Sequence, residues 1–336
     1  VRVCLTSLGC FKNLVDGESL LGLLGTAGHE FVSMPGDADA VIVNTCGFIR
    51  QAQRESIERI LEIAALKRNG RPLVIVSGCL AQGWGAELLR EMPEVDAVLG
   101  TGALGEVVHA LELAAQGERN AFLGPPGYLP ETAPPRLLST PPWTAYVKIS
   151  EGCDNRCRYC LIPYLRGPNR SRPAERVLEE VNALVERGVR EIVLVGQDLT
   201  RYGEDLRPGI RLPGLLRSMA ALRGIRWIRM HYLHPARVDR ELLETIAGET
   251  AVCAYLDLPM QHGDDGILAA MGRGITARQM LALLDEARSL IPGVAVRTSM
   301  MTGFPGETER AFRRMLSLMQ RAACDWAGVF AFSPQE

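Results

Sequence analysis

No apolar run in the 336 residues approaches the roughly 18–20 that a membrane span needs, so no membrane partner is expected. Charge of either sign is also scarce in excess. The net charge is −2 and the pI about 6.3, which excludes the global basic field that advertises nucleic-acid binding. No secretory leader is evident, so the sequon Asn169-Arg170-Ser171 reads as chance. The nine cysteines are an odd number, which suits a reducing compartment, and a cytoplasmic location is expected. What is plentiful is apolar substance. A hydrophobic content of 47% over this length is ample for the cores of two domains.

The cysteines are not scattered. Cys153, Cys157 and Cys160 stand C-x3-C-x2-C within Glu151–Cys160. Thiolates are soft ligands, and three on one tight loop can hold three corners of an iron–sulfur cube, leaving one iron open to a ligand that is not protein. Structural zinc asks for a fourth ligand, usually in paired sets. The nearest other cysteines are Cys79 and Cys253, and the nearest histidine is His109. A disulfide with a spare thiol is a further alternative.

Residues 1–116 alternate strands and helices. Strands are expected at 1–7, 38–45, 72–77 and 95–99, with helices at 16–27, 51–68, 85–91 and 105–115. That alternation implies a doubly wound parallel α/β sheet. Cys10, Cys46 and Cys79 each follow a strand beside a glycine. Strand C-terminal ends of such a sheet converge on one crevice, so these three are candidates for a second three-thiolate site. Cys4, inside the first strand, is assigned to the core. Residues 117–142 are proline-rich and read as an extended, stiff linker.

Residues 143–336 repeat a strand–helix unit, with strands at 145–149, 191–195, 226–231, 253–258, 294–300 and 326–332. Six strands without a seventh unit suggest a partial (βα)6 barrel, with chemistry on the loops after the strands. The first such loop carries Cys153–Cys160. On neighbouring loops Gln197, Asp198 and Gln261 offer polar handles for a ligand, and Arg166, Arg170 and Arg172 form a basic cluster suited to an acidic or phosphate-bearing substrate. His262 reads as structural.

C-x3-C-x2-C with Tyr159 before its last cysteine resembles the signature of radical S-adenosylmethionine (SAM) enzymes. In that family SAM chelates the open iron, which places Tyr159, Gln197, Asp198 and Gln261 as SAM-binding candidates. Its reductive cleavage gives a 5′-deoxyadenosyl radical. The two halves together resemble radical SAM methylthiotransferases, in which an N-terminal domain holds a second 4Fe–4S cluster on three cysteines; Cys10, Cys46 and Cys79 match those positions. SAM then serves as methyl donor and as radical source. Within the family, Ser7-Leu8-Gly9-Cys10-Phe11-Lys12-Asn13-Leu14-Val15-Asp16, Arg166–Pro173 and Gln197–Gly203 are similar to the RimO-like branch. That branch modifies the β-carbon of an aspartate on protein twelve of the small ribosomal subunit. The MiaB-like branch, which acts on a tRNA adenosine and has methionine at the position of Lys12, is the alternative. A non-catalytic, redox-sensing cluster protein is the second.

The resemblance implies two 4Fe–4S clusters, SAM, the ribosomal protein or assembled small subunit as partner, an electron donor such as flavodoxin or ferredoxin, and a sulfur donor. It further implies that both triads face one cavity, less than about 20–25 Å apart. Gly17, Met300–Thr302 and Met271–Gly274 depart from the family pattern without touching a cluster cysteine. Both ends look cut, and the family's C-terminal β-barrel (TRAM) domain has no counterpart after Ser333-Pro334.

Overall fold

The computed structural model describes residues 1–126, 129, 135–206 and 210–334. The chain opens with β1 (Arg2–Ser7), α1 (Phe11–Thr26), β2 (Glu30–Phe31), β3 (Ala40–Thr45), α2 (Arg50–Ala64), β4 (Leu73–Gly78), α3 (Cys79–Glu91), β5 (Ala97–Leu99), α4 (Val107–Ala115) and β6 (Asn120–Phe122). The six strands form one parallel sheet in the order β2-β1-β3-β4-β5-β6. Central strands β3 and β4 are buried along their whole length, as continuous apolar runs between two helical layers require. Period-two alternation divides the core. Val3, Ile42 and Ile75 pack under α1 and α4, while Cys4, Val41 and Val74 pack under α2 and α3. This is the expected doubly wound domain. Its strand order reverses between β1 and β3, and ligands of such sheets bind at that crevice.

Two short edge strands and two helix starts were not anticipated. Asn120–Phe122 pairs in parallel with β5, so the expected linker opening at residue 117 instead begins with an edge strand of the first sheet. Part of that linker, at 127–128 and 130–134, lies outside the described residues. Helix α1 starts at Phe11 rather than at Asp16, because extended Cys10 is its N-cap. Helix α3 begins at Cys79 and continues through an irregular turn at Trp84, between two glycines that discourage a helical reading.

The second half continues with β7 (Thr144–Lys148), β8 (Ser150–Glu151), α5 (Ile162–Arg166), β9 (Arg170–Ser171), α6 (Ala174–Glu186), β10 (Glu191–Val195), α7 (Leu212–Ala220), β11 (Trp227–Met230), α8 (Arg240–Gly248), β12 (Tyr255–Asp257), α9 (Asp265–Met271), α10 (Ala277–Leu290), β13 (Ala295–Thr302), α11 (Glu309–Ala322) and β14 (Trp326–Ala331). Strands β7, β10 and β11 form one parallel set and β12, β13 and β14 another. The Ile228–Val252 bridge joins the sets, with the Cys253 N–H donating to the Ile228 carbonyl. The result is a six-stranded open barrel. The short β8–β9 ladder pins the stretch after the cysteine loop back onto its start.

Alternation again decides what faces where. Ala145, Val147, Ile192, Leu194, Ile228 and Met230 point outward into the core under the helices. Tyr146, Val193, Val195 and His231 point inward, and helix α1 of the first domain meets them there. Phe11 stacks between Tyr146 (ring centroids 4.5 Å) and His231 (5.2 Å), and Val15 packs on Val193 and Val195. The first domain therefore inserts the start of α1 against the concave face of the barrel. A side chain at Gly22 would fall 1.7 Å from the Pro135 carbonyl oxygen, so only glycine permits the crossing there.

Candidate functional site

The stretch Ser7–Asp16 builds the first triad. Gly9 takes φ +92, where an L side chain is strained and where an added Cβ would sit 2.9 Å from Cys46 Cβ. This turn brings Cys10 beside Cys46, which follows β3. Asn13 locks the arrangement by donating to the Leu8 carbonyl (3.1 Å) and the Thr45 carbonyl (2.8 Å). Cys79 opens α3 from the end of β4, with its Sγ 3.8 Å from Asn13 Oδ1. Cys10 and Cys46 thus flank the switch point, and Cys79 sits one strand further on.

The electrostatics of the three thiols differ. Burial pushes Cys46 up to about 11, and Cys79 and Cys10 add their like charge to it. Burial also raises Cys79. At Cys10 burial is outweighed by Lys12, Arg166 and the backbone N–H groups of Asn13 and Lys12, and the net shift is downward. Thiolates that repel one another in a dry site call for a cationic core to bind.

The second triad lies on the loop after β7. Gly152 takes φ +79, and a Cβ there would meet the Pro168 carbonyl oxygen at 2.0 Å, so this tight entry needs glycine. The Cys153 N–H donates to the Gly167 carbonyl (3.0 Å), and the Asn155 N–H points at Cys153 Sγ (3.4 Å). Cys157 and Cys153 act on Cys160, whose thiol burial raises to about 12. Among the described residues, no three His, Cys, Asp or Glu side chains stand close enough around one point to hold a single metal ion. Neither triad therefore has the geometry of a closed zinc site, where every ligand reaches one centre.

Charged residues tie the triads together. Arg166 is buried and gives Nε to Cys79 Sγ (3.3 Å), Nη1 to Asp16 (2.9 Å) and Glu151 (3.0 Å), and Nη2 to Asn13 (2.6 Å). Lys148 joins the network through Asp16 and Glu151 (2.6 Å). Glu151 immediately precedes Gly152 and Cys153, so this network runs from one triad to the other. Burial alone would raise the Glu151 carboxyl, but Arg166 and Lys148 hold it far below its usual value. Lys12 also leaves the first domain. Its Nζ lies 4.0 Å over the Tyr232 ring and 3.4 Å from the Gly196 carbonyl, both at the barrel mouth. Its charge helps to bring the Cys10 thiol down, whereas Cys160 stays raised by burial.

Several of the expected contact residues are held by the protein's own groups. Arg166 lies inside the interdomain network. Arg172 is buried against Glu180 (2.5 Å) and the Lys148 carbonyl (3.0 Å). Arg170 donates to the carbonyls of Pro126 and Arg166. Arg170 and Arg172 each keep a buried Nε without a partner. Asp198 spends its oxygens on Asn155 (2.7 Å), Arg237 (3.0 Å) and Thr200, and so braces the cysteine loop from behind.

Gln197 keeps a free acceptor. Its amide donates to Glu151 (2.5 Å), while its Oε1 is buried without a partner. Gln261 sits at φ +72, a left-handed strain at the barrel rim. Tyr159 packs beside Met271 and Phe304, with its hydroxyl 3.4 Å from Arg273. Arg273 was missed by sequence reasoning. Its guanidinium lies 3.6 Å from Cys157 Sγ and 2.6 Å from the Pro259 carbonyl, and its Nε has no partner. The partnerless Gln197 Oε1 and Arg273 Nε, both beside the thiol loop, fit a polar cofactor there.

A two-triad α/β protein with an open barrel of this kind is a radical SAM enzyme. Residues 147–319 match the radical SAM superfamily, and residues 2–100 match a family described as uncharacterized protein family UPF0004. Over its full length the chain is 50% identical to the ribosomal protein uS12 methylthiotransferase RimO of Desulforudis audaxviator, covering 74% of that protein. It is 48% identical to the protein of the same name from Desulforamulus reducens, over 99% of this chain and 75% of that one. Solved structures share the fold at low identity. The radical SAM methyltransferase TsrM from Kitasatospora setae, with cobalamin and a 4Fe–4S cluster bound, superposes with TM-score 0.70 at 16% identity over 98% of this chain and 74% of that one. The cobalamin-dependent enzyme OxsB gives 0.63 at 12%, over 98% and 53%. The chain belongs to the RimO family of radical SAM methylthiotransferases, enzymes that work with SAM and 4Fe–4S clusters.

Proposed function

We propose that this enzyme places a methylthio group on the β-carbon of an aspartate in ribosomal protein uS12. In this reading Cys153, Cys157 and Cys160 hold the cluster that binds SAM, and Cys10, Cys46 and Cys79 hold the second. When bound, these groups supply one-electron cleavage of SAM, hydrogen abstraction, sulfur and a methyl group. The observation that supports the reading is the buried network between the two cysteine sets: Arg166 donates to Cys79 Sγ (3.3 Å) and to Glu151 (3.0 Å), which stands two residues before Cys153. A C–H bond opened near one triad then lies within reach of sulfur at the other.

The chain's own residues orient and seclude. Gly152 and Asp198 fix the thiol loop, Asn13 and Gly9 fix the first triad, and Phe11 seals the concave face of the barrel. Gln197 and Arg273 are the strongest SAM contacts on geometry, with Tyr159 and Gln261 at the same rim. A low-potential carrier such as flavodoxin or ferredoxin supplies electrons, a separate donor supplies sulfur, and the cytoplasm is the compartment. No helix among the described residues is long and apolar enough to cross a membrane.

The test is incubation of the reconstituted enzyme with SAM and reductant on uS12 and, separately, on tRNA. Gain of a methylthio group on uS12 supports the reading; modified tRNA with untouched uS12 overturns it.

A further inference from the structure

We propose that an extended segment of the substrate polypeptide binds as an added strand along the free edge of β14, which leads it to the cysteine loop. This rests on the function proposed above and names the surface that receives uS12. The open barrel runs β7-β10-β11-β12-β13-β14, so its seam lies between β7 and β14. The two sides of the seam differ. On β7 the carbonyls of Tyr146 and Lys148 accept from Arg136 (2.8 Å) and Arg172 (3.0 Å), and Phe11 stacks on Tyr146. On β14, among the described residues, the only ladder is the one with β13. The Phe332 N–H donates to the Thr302 carbonyl of β13 (2.8 Å), so by alternation the N–H and C=O of Val329 and Ala331 face the seam. An unpaired edge templates another backbone, and proteins commonly blunt such edges with charge or proline. The run Trp326–Ala331 has neither, and Trp326, Val329 and Phe330 are each more than half exposed.

The inner face of the strand is shaped for a neighbour. Trp326, Gly328 and Phe330 share the side turned into the barrel, where the Trp326 ring lies 6.5 Å from that of Tyr255. Gly328 leaves a gap between the two larger side chains, and a glycine inside a strand suits the close approach of another backbone. The chemistry selects a polypeptide. Main-chain donors and acceptors along an edge match another main chain. The six residues of β14 carry no charge, so a nucleic-acid backbone finds no counter-charge on them. The edge also leads to the thiols. Phe332, one residue past β14, meets Phe304 edge-on (5.3 Å) in the cluster that includes Tyr159 of the cysteine loop. Ser333 accepts from the N–H of Arg50 (3.2 Å), four residues after Cys46. An aspartate carried past Phe332 on an added strand therefore arrives beside Tyr159 and the segment that follows Cys46. The rival occupant of such an edge is β14 of a second copy.

The experiment follows amide hydrogen exchange over residues 326–332 of the reconstituted wild type: with uS12, with tRNA, and alone at rising concentration. With uS12 these amides should exchange more slowly, and with tRNA they should not change. Proline at Val329 removes a donor that faces the seam and leaves the β13 ladder in place. Val329→Pro should keep iron and sulfide at both triads and raise KM for uS12 about tenfold or more, the worth of one or two main-chain hydrogen bonds. Exchange on wild type needs no variant, so it decides even where Val329→Pro does not fold. If uS12 is modified while exchange over 326–332 is unchanged, the inference is overturned and the proposed function stands. An unchanged KM in folded Val329→Pro overturns it as well. Protection that grows with enzyme concentration in the absence of uS12 gives the edge to a second copy and also overturns it. Wild type that leaves uS12 untouched refutes the proposed function itself, and this inference with it.

Discussion

Arg166 belongs to the barrel half, yet its Nε donates to Cys79 Sγ of the first domain at 3.3 Å. The same side chain holds Asp16 and Glu151, so one guanidinium supports a thiol ligand and the domain interface together. Replacing it by methionine leaves two buried carboxylates with Lys148 alone as counter-charge. Arg166→Met should destabilise the protein by about 3–5 kcal/mol, the usual cost of breaking a buried pair from one side. Urea unfolding measures this. Arg166→Lys keeps the charge but cannot reach four partners from one flexible stem. It should fold, keep the SAM-binding cluster, and move the potential of the second cluster to a more negative value through loss of a sulfur hydrogen bond. Potentiometric EPR titration reads that shift.

Glu180 carries a pH prediction. Burial would raise its carboxyl, but Arg172 and Arg136 together hold it below the ordinary 4.5. A carboxyl depressed on folding stabilises the native state fully above its unfolded value, and that contribution is lost as pH falls through the lower folded value. Wild type should therefore lose stability as pH drops below about 4.5. Glu180→Gln should be about 3 kcal/mol less stable at pH 7 and should decline less steeply in acid. Urea midpoints across pH 3–7, a span set around the carboxylate range, check both parts.

Gly152 is the narrowest point of the cysteine loop. Gly152→Ala combines a strained φ of +79 with a backbone oxygen 2.0 Å from the new Cβ. Overpacking of this kind costs about 1–3 kcal/mol, and the backbone strain adds to it. The loop should open, and iron at Cys153, Cys157 and Cys160 should fall while iron at the other triad stays. Iron analysis combined with 5′-deoxyadenosine formation separates this from general unfolding.

Much of this fold can be read along the chain because both halves repeat a strand–helix unit with continuous apolar strands. Cys10, Cys46 and Cys79 fall just past three strands, and parallel topology alone brings them to one crevice. Local chemistry does not reveal partners that only the tertiary fold supplies. Nothing in the sequence near Arg172 announces Glu180 of α6 as its partner, and nothing near Asp198 announces Arg237 or Asn155. Phe11 is separated from Tyr146 and His231 by more than a hundred residues, so the insertion of α1 into the barrel leaves no local trace. Arg273 stands in a Gly-Arg-Gly turn that reads as a loop, and only Cys157 beside it marks a role. Strands β2, β8 and β9, of two residues each, are too short for any periodicity.

The central claim is that two incomplete triads hold two clusters. Iron and acid-labile sulfide per chain, after anaerobic reconstitution, test it most directly in wild type and two triple-alanine variants: one at Cys10, Cys46 and Cys79, the other at Cys153, Cys157 and Cys160. The account predicts about eight irons in wild type and about four in each variant. Cleavage of SAM should survive only where Cys153, Cys157 and Cys160 remain. Tightly bound zinc without sulfide, or a full complement of iron in either variant, would contradict it.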